Sequence, residues 1–203
     1  METTRTRTLD DAAREASTCT KCRLANGRTQ VVYGVGNPNA DLMFIGEAPG
    51  FHEDKQGEPF VGAAGQLLNT LLAESGIRRD DVYINNVILC RPPGNRDPLP
   101  DELEACKPWL DERIALVDPA VIVTLGNWAT RYILGQSVSI SRVRGQRFPW
   151  NGRLVIPTFH PAAILRGGGA ASRQMTSVRS DFQEMRRALD ERPQPAEEQL
   201  GLF

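Results

Sequence analysis

Residues 41–46 read DLMFIG, a short apolar run closed by a glycine. A run of this length without polar alternation marks a strand buried on both faces, as in a parallel sheet covered by helices. Three segments share the character: VYINNVI at 82–88, VIVTL at 121–125 followed by Gly126, and LVIPTF at 154–159. Pro157 lacks a backbone N–H, which places the last of these at a sheet edge or makes it end there. Between the strands lie helical spacings. Leu67, Leu68, Leu71 and Leu72 fall on one face of 62–75, before Gly76. Leu103, Cys106, Leu110, Ile114 and Val117 form a stripe over 100–117. A short helix is expected near 128–134 and an amphipathic one over 177–191. This alternation predicts an α/β domain with a mainly parallel sheet and helices on both faces. Ligands of such sheets bind beyond the C-terminal strand ends. The loops 46–60, 91–98 and 160–169 are expected there.

The chain has 203 residues, suited to one domain over 1–191 with a tail over 192–203 (RPQPAEEQLGLF) that is polar and proline-bearing. Lysine and arginine number 24 against 25 acids, and 40% of residues are apolar. No stretch reaches the roughly 18 apolar residues of a membrane helix. The first residues, METTRTRTLDDAAREAS, have no apolar centre, so no secretory signal is expected and a cytoplasmic protein is. The balanced charge hides an asymmetry: residues 141–187 hold nine arginines against Asp181 and Glu184. A basic segment of this kind reads as a surface facing a polyanion or as a solvated arginine-rich face.

All four cysteines form one pattern: Cys19 and Cys22 in a C-x2-C turn, then Cys90 at a strand end and Cys106 on the helix that follows. A C-x2-C turn offers two thiolates to one centre, and two more from the body complete a tetrahedral set. Disulfides are not expected in a cytosolic chain. Spacing alone leaves zinc and an iron–sulfur cluster both open.

Read together, GEAPGFHEDKQGEPFVGAAGQLL (46–68), the Cys19–Cys22 turn, CRPPGNRDPLP (90–100) and FHPAAILR (159–166) resemble the family 4 uracil-DNA glycosylases, the iron–sulfur branch of that superfamily. The resemblance runs from about Cys19 to Leu189 in order and spacing. It implies a three-layer α/β/α sandwich and a [4Fe-4S] cluster on Cys19, Cys22, Cys90 and Cys106. It also implies hydrolysis of the bond joining uracil to deoxyribose, the first step of base excision repair, leaving an abasic site.

The residues suit that chemistry. A base inside a duplex must be flipped into a pocket. Phe60, after Pro59 in a glycine-rich loop with Gly46, is the expected aromatic floor. Uracil presents an N3–H donor and an O4 acceptor, which one fixed carboxamide matches and cytosine does not. The resemblance assigns this to Asn86; alternation sends Asn85 to the other sheet face. Uracil leaves as an anion with charge on O2. His160 matches the family's donor to that oxygen, expected neutral, with the backbone N–H groups around Glu47 and Ala48 adding to it.

The third position of the G-x-x-P motif, which carries a water-positioning Asp or Asn in other branches, is Ala48 here. Glu47, Glu53, Asp54 and Asn95 are the candidates for that role, with Glu47 and Asn95 the leading pair; Glu53 is also expected at the C5 edge of the base. Leu165 is the expected wedge into the gap left by the flipped base, and Arg166 a phosphate contact. A related group of uracil-binding proteins traps the DNA sugar with a histidine, but the chain has none between residues 53 and 159. Turnover is expected over the alternative, a non-catalytic or trapping uracil-DNA-binding protein. A zinc-stabilised nucleic-acid binder is a weaker third reading. No lysine stands as a Schiff-base nucleophile in these motifs, so a monofunctional enzyme is expected.

The terminal QLGLF resembles the Q-L-x-L-F peptide that bacterial repair proteins insert into the sliding clamp. Gln199, Leu200, Leu202 and Phe203 are the expected contacts. A nucleoid-associated monomer is the expected working form.

Overall fold

A computed structural model describes residues 7–135 and 137–191. The expected apolar runs become the parallel strands β2 (Leu42–Gly46), β3 (Tyr83–Asn86), β4 (Val121–Leu125) and β6 (Arg153–Thr158). Two short antiparallel strands, β1 (Val35–Gly36) and β5 (Phe148–Trp150), close the edges. The sheet order is β1-β3-β2-β4-β6-β5.

The position of Pro157 decides between the two expectations: it stands one residue before the end of β6. β6 is not an edge strand, since β4 pairs on one side and β5 on the other. The β5 ladder stops at Val155, two residues short of Pro157, so the missing N–H empties no rung there.

Helices α1 (Leu9–Ser17), α4 (Pro100–Val117) and α5 (Gly126–Leu134) cover one face of the sheet, packing around Met43, Ile45 and Ile122. Helices α3 (Ala63–Glu74) and α8 (Met175–Asp190) cover the other, against Phe44, Val123 and Ile156. Three short helices, α2 (Phe51–Gln56), α6 (Ile140–Val143) and α7 (Pro161–Arg166), lie in the connections. The result is the three-layer α/β/α arrangement. Burial drives it: the four parallel strands are apolar on both sides, and each face needs its own layer of helices. Among the described residues no helix is long and apolar enough to cross a membrane.

Candidate active site

From β2 the chain crosses to β3 on one side; from β4 it crosses to β6 on the other. The crevice where these directions part is the standard ligand position in such sheets. A cavity of about 590 Å³ opens there, beyond Gly46 at the end of β2 and Gly126 at the start of α5. All three expected loops reach it, through Glu47, Asn95 and His160 among others.

Phe60 and Asn86 meet over Gly46. A methyl group on Gly46 would collide with Asn86 Oδ1 and stand 2.7 Å from Phe60 Cζ, so only glycine leaves the floor open. Asn86 is buried and its Oδ1 has no partner, a costly state unless a ligand supplies one. Asn85 is equally buried on the opposite face, beside the core of α4, and does not line the cavity. The rings of Phe60 and His160 lie 5.7 Å apart and 28° from parallel, and both residues line the cavity. Phe60 thus stands next to both Asn86 and His160, and all three line the cavity.

Phe60 has a positive φ of 55°, unusual for a bulky residue. Glu53 holds it there: its Oε1 accepts from the N–H groups of Val61 at 3.0 Å and Gly62 at 2.9 Å. That carboxylate also sits at the N-terminus of α3, where the helix dipole favours negative charge. Gly65 admits the Phe60 carbonyl into the first turn of α3, a place where any side chain would collide with it. Glu53 lines the cavity, but one of its oxygens is committed to this loop.

His160 caps α7. Its Nδ1 accepts from the N–H of Ala162 at 3.1 Å, which leaves the ring proton on Nε2 as a donor. Burial, with Arg166 nearby, pushes its pKa down to about 4, so the ring is neutral at pH 7. Gly126, with φ of 89°, lets α5 start 3.0 Å from the His160 side chain, measured from where its own Cβ would be.

Glu47 lines the cavity, and its carboxylate has no hydrogen-bond partner among the described residues. Burial and Asp97 push its pKa up to about 7, against the pull of Arg166. Asn95, on the 91–99 loop, lines the same cavity, with Oδ1 accepting from Arg91 Nε at 2.7 Å. Buried Glu102 anchors that loop, taking both Arg96 nitrogens at 2.6 and 2.9 Å and the Leu99 N–H at 2.9 Å. Ala48 lines the cavity as well. Asp54 does not: its Oδ1 accepts from the Thr29 N–H at 2.8 Å, outside the site.

Leu165 is exposed on α7 and Arg166 lines the cavity mouth. The arginine surplus is smaller at the surface than the count suggests. Arg144, Arg147, Arg153, Arg179, Arg186 and Arg187 are paired with carboxylates, many from outside their segment. Arg142, Arg166 and Arg173 have no ion pair among the described residues.

The four cysteines converge at the base of α4. Cys90 and Cys106 are buried, Cys19 and Cys22 partly so. Cys90 feels the charge of Cys19 and Cys22, and Cys106 that of Cys90 and Cys22. Burial pushes the Cys106 thiol up to about 11 and raises Cys90 too, so unliganded thiolates are disfavoured there. Two N–H groups point at sulfur: Trp109 Nε1 at 3.4 Å from Cys19 Sγ and Arg28 Nη1 at 3.5 Å from Cys90 Sγ. Among the described residues no three His, Cys, Asp or Glu side chains are grouped closely enough for a single metal ion.

Two features escaped the sequence reading. The start of α5 supplies Asn127, Trp128 and Arg131 to the cavity wall, and Gly126 after an apolar strand was the available signal. The second is Arg113, wholly buried under Asn86; nothing in an amphipathic helical stripe announces it. The expected clamp contacts, Gln199, Leu200, Leu202 and Phe203, lie outside the described residues.

Comparison with known proteins agrees with this geometry. A family model described as the Uracil DNA glycosylase superfamily matches residues 33–185. The type-4 uracil-DNA glycosylase of Sulfurisphaera tokodaii is 49% identical, the match covering 77% of this chain and 76% of that protein. That of Thermotoga maritima is 50% identical over 80% of this chain and 86% of the relative. That of Saccharolobus solfataricus is 44% identical over 91% and 88%. The chain belongs to the uracil-DNA glycosylase superfamily, within its type-4 branch.

Proposed function

We propose that this protein is a uracil-DNA glycosylase of DNA repair, which hydrolyses the N-glycosidic bond of uracil flipped out of DNA and leaves an abasic site. The observation that carries the reading is the unpartnered, buried Asn86 Oδ1 facing a cavity floored by Phe60. An amide that can both donate and accept suits the O4 and N3–H of uracil and leaves buried groups unpaired with cytosine. Neutral His160 directs Nε2–H at the charge growing on O2, a donor fixed before reaction. The Glu47 carboxylate, with Asn95, orients the attacking water and faces the positive charge developing on the sugar. Leu165 fills the vacated stack and Arg166 holds a phosphate. The chain has no histidine between residues 53 and 159, where trapping relatives carry theirs, and this favours turnover.

The four cysteines hold a [4Fe-4S] cluster. Their chemistry supports this: an all-thiol set of four, with N–H groups aimed at two of the sulfurs. Cluster binding supplies structural closure, tying the N-terminal turn to α4 and to the end of the strand that carries Asn86. The N-terminal 191 residues act as one domain and a monomer, in the cytoplasm with the nucleoid. The QLGLF tail engages the sliding clamp.

The deciding experiment incubates the protein with a uracil-containing oligonucleotide and then with alkali. Cleavage at the uracil only after alkali, with many turnovers per protein, is expected; a stable complex without free uracil would reverse the reading. Brown protein absorbing near 400 nm is expected, and colourless protein with stoichiometric zinc would remove the cluster. Calorimetry with the last twelve residues and the sliding clamp tests the tail, and absence of heat at high micromolar concentration excludes it.

A further inference from the structure

Arg113 on α4 is among the largest wholly buried side chains, and it has no ion pair among the described residues. A buried cation without an acid is costly, so its surroundings must compensate it. They do so with three carbonyls. Nε donates to Trp109 O at 3.0 Å, Nη1 to Tyr33 O at 2.7 Å and Nη2 to Asn86 O at 3.1 Å. The guanidinium carbon also lies 5.3 Å from the centre of the Tyr33 ring.

The last two carbonyls explain the place of Arg113 in the fold. β1 pairs with β3 through Val35 with Ile84 and Gly36 with Tyr83. The same register carried back would set Tyr33 opposite Asn86. The ladder does not continue that way: the next strand-like bond, Val32 N–H to Leu89 O at 2.9 Å, is shifted by two residues. The chains part between these points, and Arg113 spans the gap, bonding both carbonyls with one rigid fork. Asn86 is the last residue of β3, and its side chain leaves the opposite face of the sheet to line the cavity.

We propose that Arg113 is a positioning residue for base recognition: by holding the Tyr33 and Asn86 carbonyls together it fixes the end of β3 and thereby the aim of the Asn86 carboxamide. This rests on the reading of Asn86 as the group that recognises uracil. A lysine offers a point charge in place of a planar fork and cannot hold the same three acceptors in their directions. The main chain of Asn86 is then free to tilt, and the amide with it.

The test compares Arg113→Lys, Arg113→Met and Asn86→Ala in full-length, cluster-loaded protein, with melting curves and absorbance near 400 nm checking fold and loading. Inhibition by free uracil is the main readout, beside the single-turnover rate and affinity for abasic-site DNA. The expected result is at least tenfold weaker inhibition and at least tenfold slower excision for both Arg113 variants, with abasic-site affinity changed less than twofold. Combined with Asn86→Ala, the Arg113 substitutions add little. Uracil inhibition that survives in the Arg113 variants but is lost in Asn86→Ala overturns the inference and leaves the reading of Asn86 intact. Inhibition that survives in Asn86→Ala takes both down. Losses that sum fully in the double variants also overturn it. If neither Arg113 variant folds, the native protein still decides: saturating uracil is expected to shift the Arg113 Nε–H resonance, and an unmoved resonance refutes the link.

Discussion

Gly46 and Asn86 face each other so closely that a single methyl group on Gly46 would overlap the Asn86 carboxamide oxygen. The same methyl would stand 2.7 Å from Phe60 Cζ, below any ordinary carbon contact. On the proposed reading, the glycine keeps clear the space where a base edge would meet this amide. Gly46→Ala is expected to slow excision at least 100-fold in single-turnover assays. Overpacking costs about 1–3 kcal/mol of stability, so the protein should still fold. Excision within threefold of the parent would mean that the base does not approach Asn86 over Gly46.

Glu53 tests whether the strained Phe60 loop matters. Removing its carboxylate orphans the N–H groups of Val61 and Gly62, at a cost of about 1–3 kcal/mol. Phe60 would then relax from its positive φ and leave the pocket floor. Glu53→Ala is expected to weaken inhibition by free uracil severalfold and to lower the melting temperature. Glu53→Gln keeps an oxygen acceptor and should restore most of both, losing only the charge at the α3 N-terminus. If the Gln variant is as impaired as the Ala variant, the negative charge itself acts in the pocket.

What the sequence disclosed, and what it hid, follows from range. α4 and β4 begin and end where the apolar spacing says, because Pro100 starts the one and Gly126 closes the other. The cavity was legible as three loops after strands, since a parallel sheet gathers its C-terminal ends on one side. β1 and β5 have two and three residues, too few for any period to show. The work of Glu53 was hidden because its partners are backbone groups eight and nine residues away. Arg113 was invisible for the same reason at longer range: two of its three acceptors lie 80 and 27 residues distant in sequence. The arginine count misled because charge pairing is tertiary, as between Arg179 and Glu74.

That pairing sets the salt dependence of DNA binding. A protein contacting Z phosphates loses affinity with a slope of about −0.9Z on logarithmic axes. If all nine arginines of 141–187 met phosphate, the slope would approach −8. With Arg142, Arg166 and Arg173 the arginines of that segment that have no ion pair among the described residues, a contribution nearer −3 is expected from it. Arg166→Ala should reduce the measured slope by about one. A slope unchanged by that substitution would remove Arg166 from the DNA interface.

Glu47 and His160 make opposite demands on pH, and one substitution separates them. His160, with its pKa near 4, is neutral throughout the working range and should contribute no inflection above pH 5. Glu47, raised to about 7, changes charge within it. If the carboxylate orients water, excision rises about tenfold per pH unit below 7 and levels off above. Glu47→Gln should be slow and flat over the same range. Stability runs the other way. A carboxyl whose folded pKa lies above its unfolded value stabilises the fold below pH 4.5, and that contribution is lost as pH rises through 7. The charged carboxylate at pH 8 is then a liability, lessened by the water that reaches this part-exposed group. Glu47→Gln should melt higher than the parent at pH 8, and the gap should close towards pH 4.5. On the proposed role of Glu47, the form that costs stability is the form that speeds the reaction. A Gln variant that keeps the acidic limb of the rate profile would place that proton on another residue.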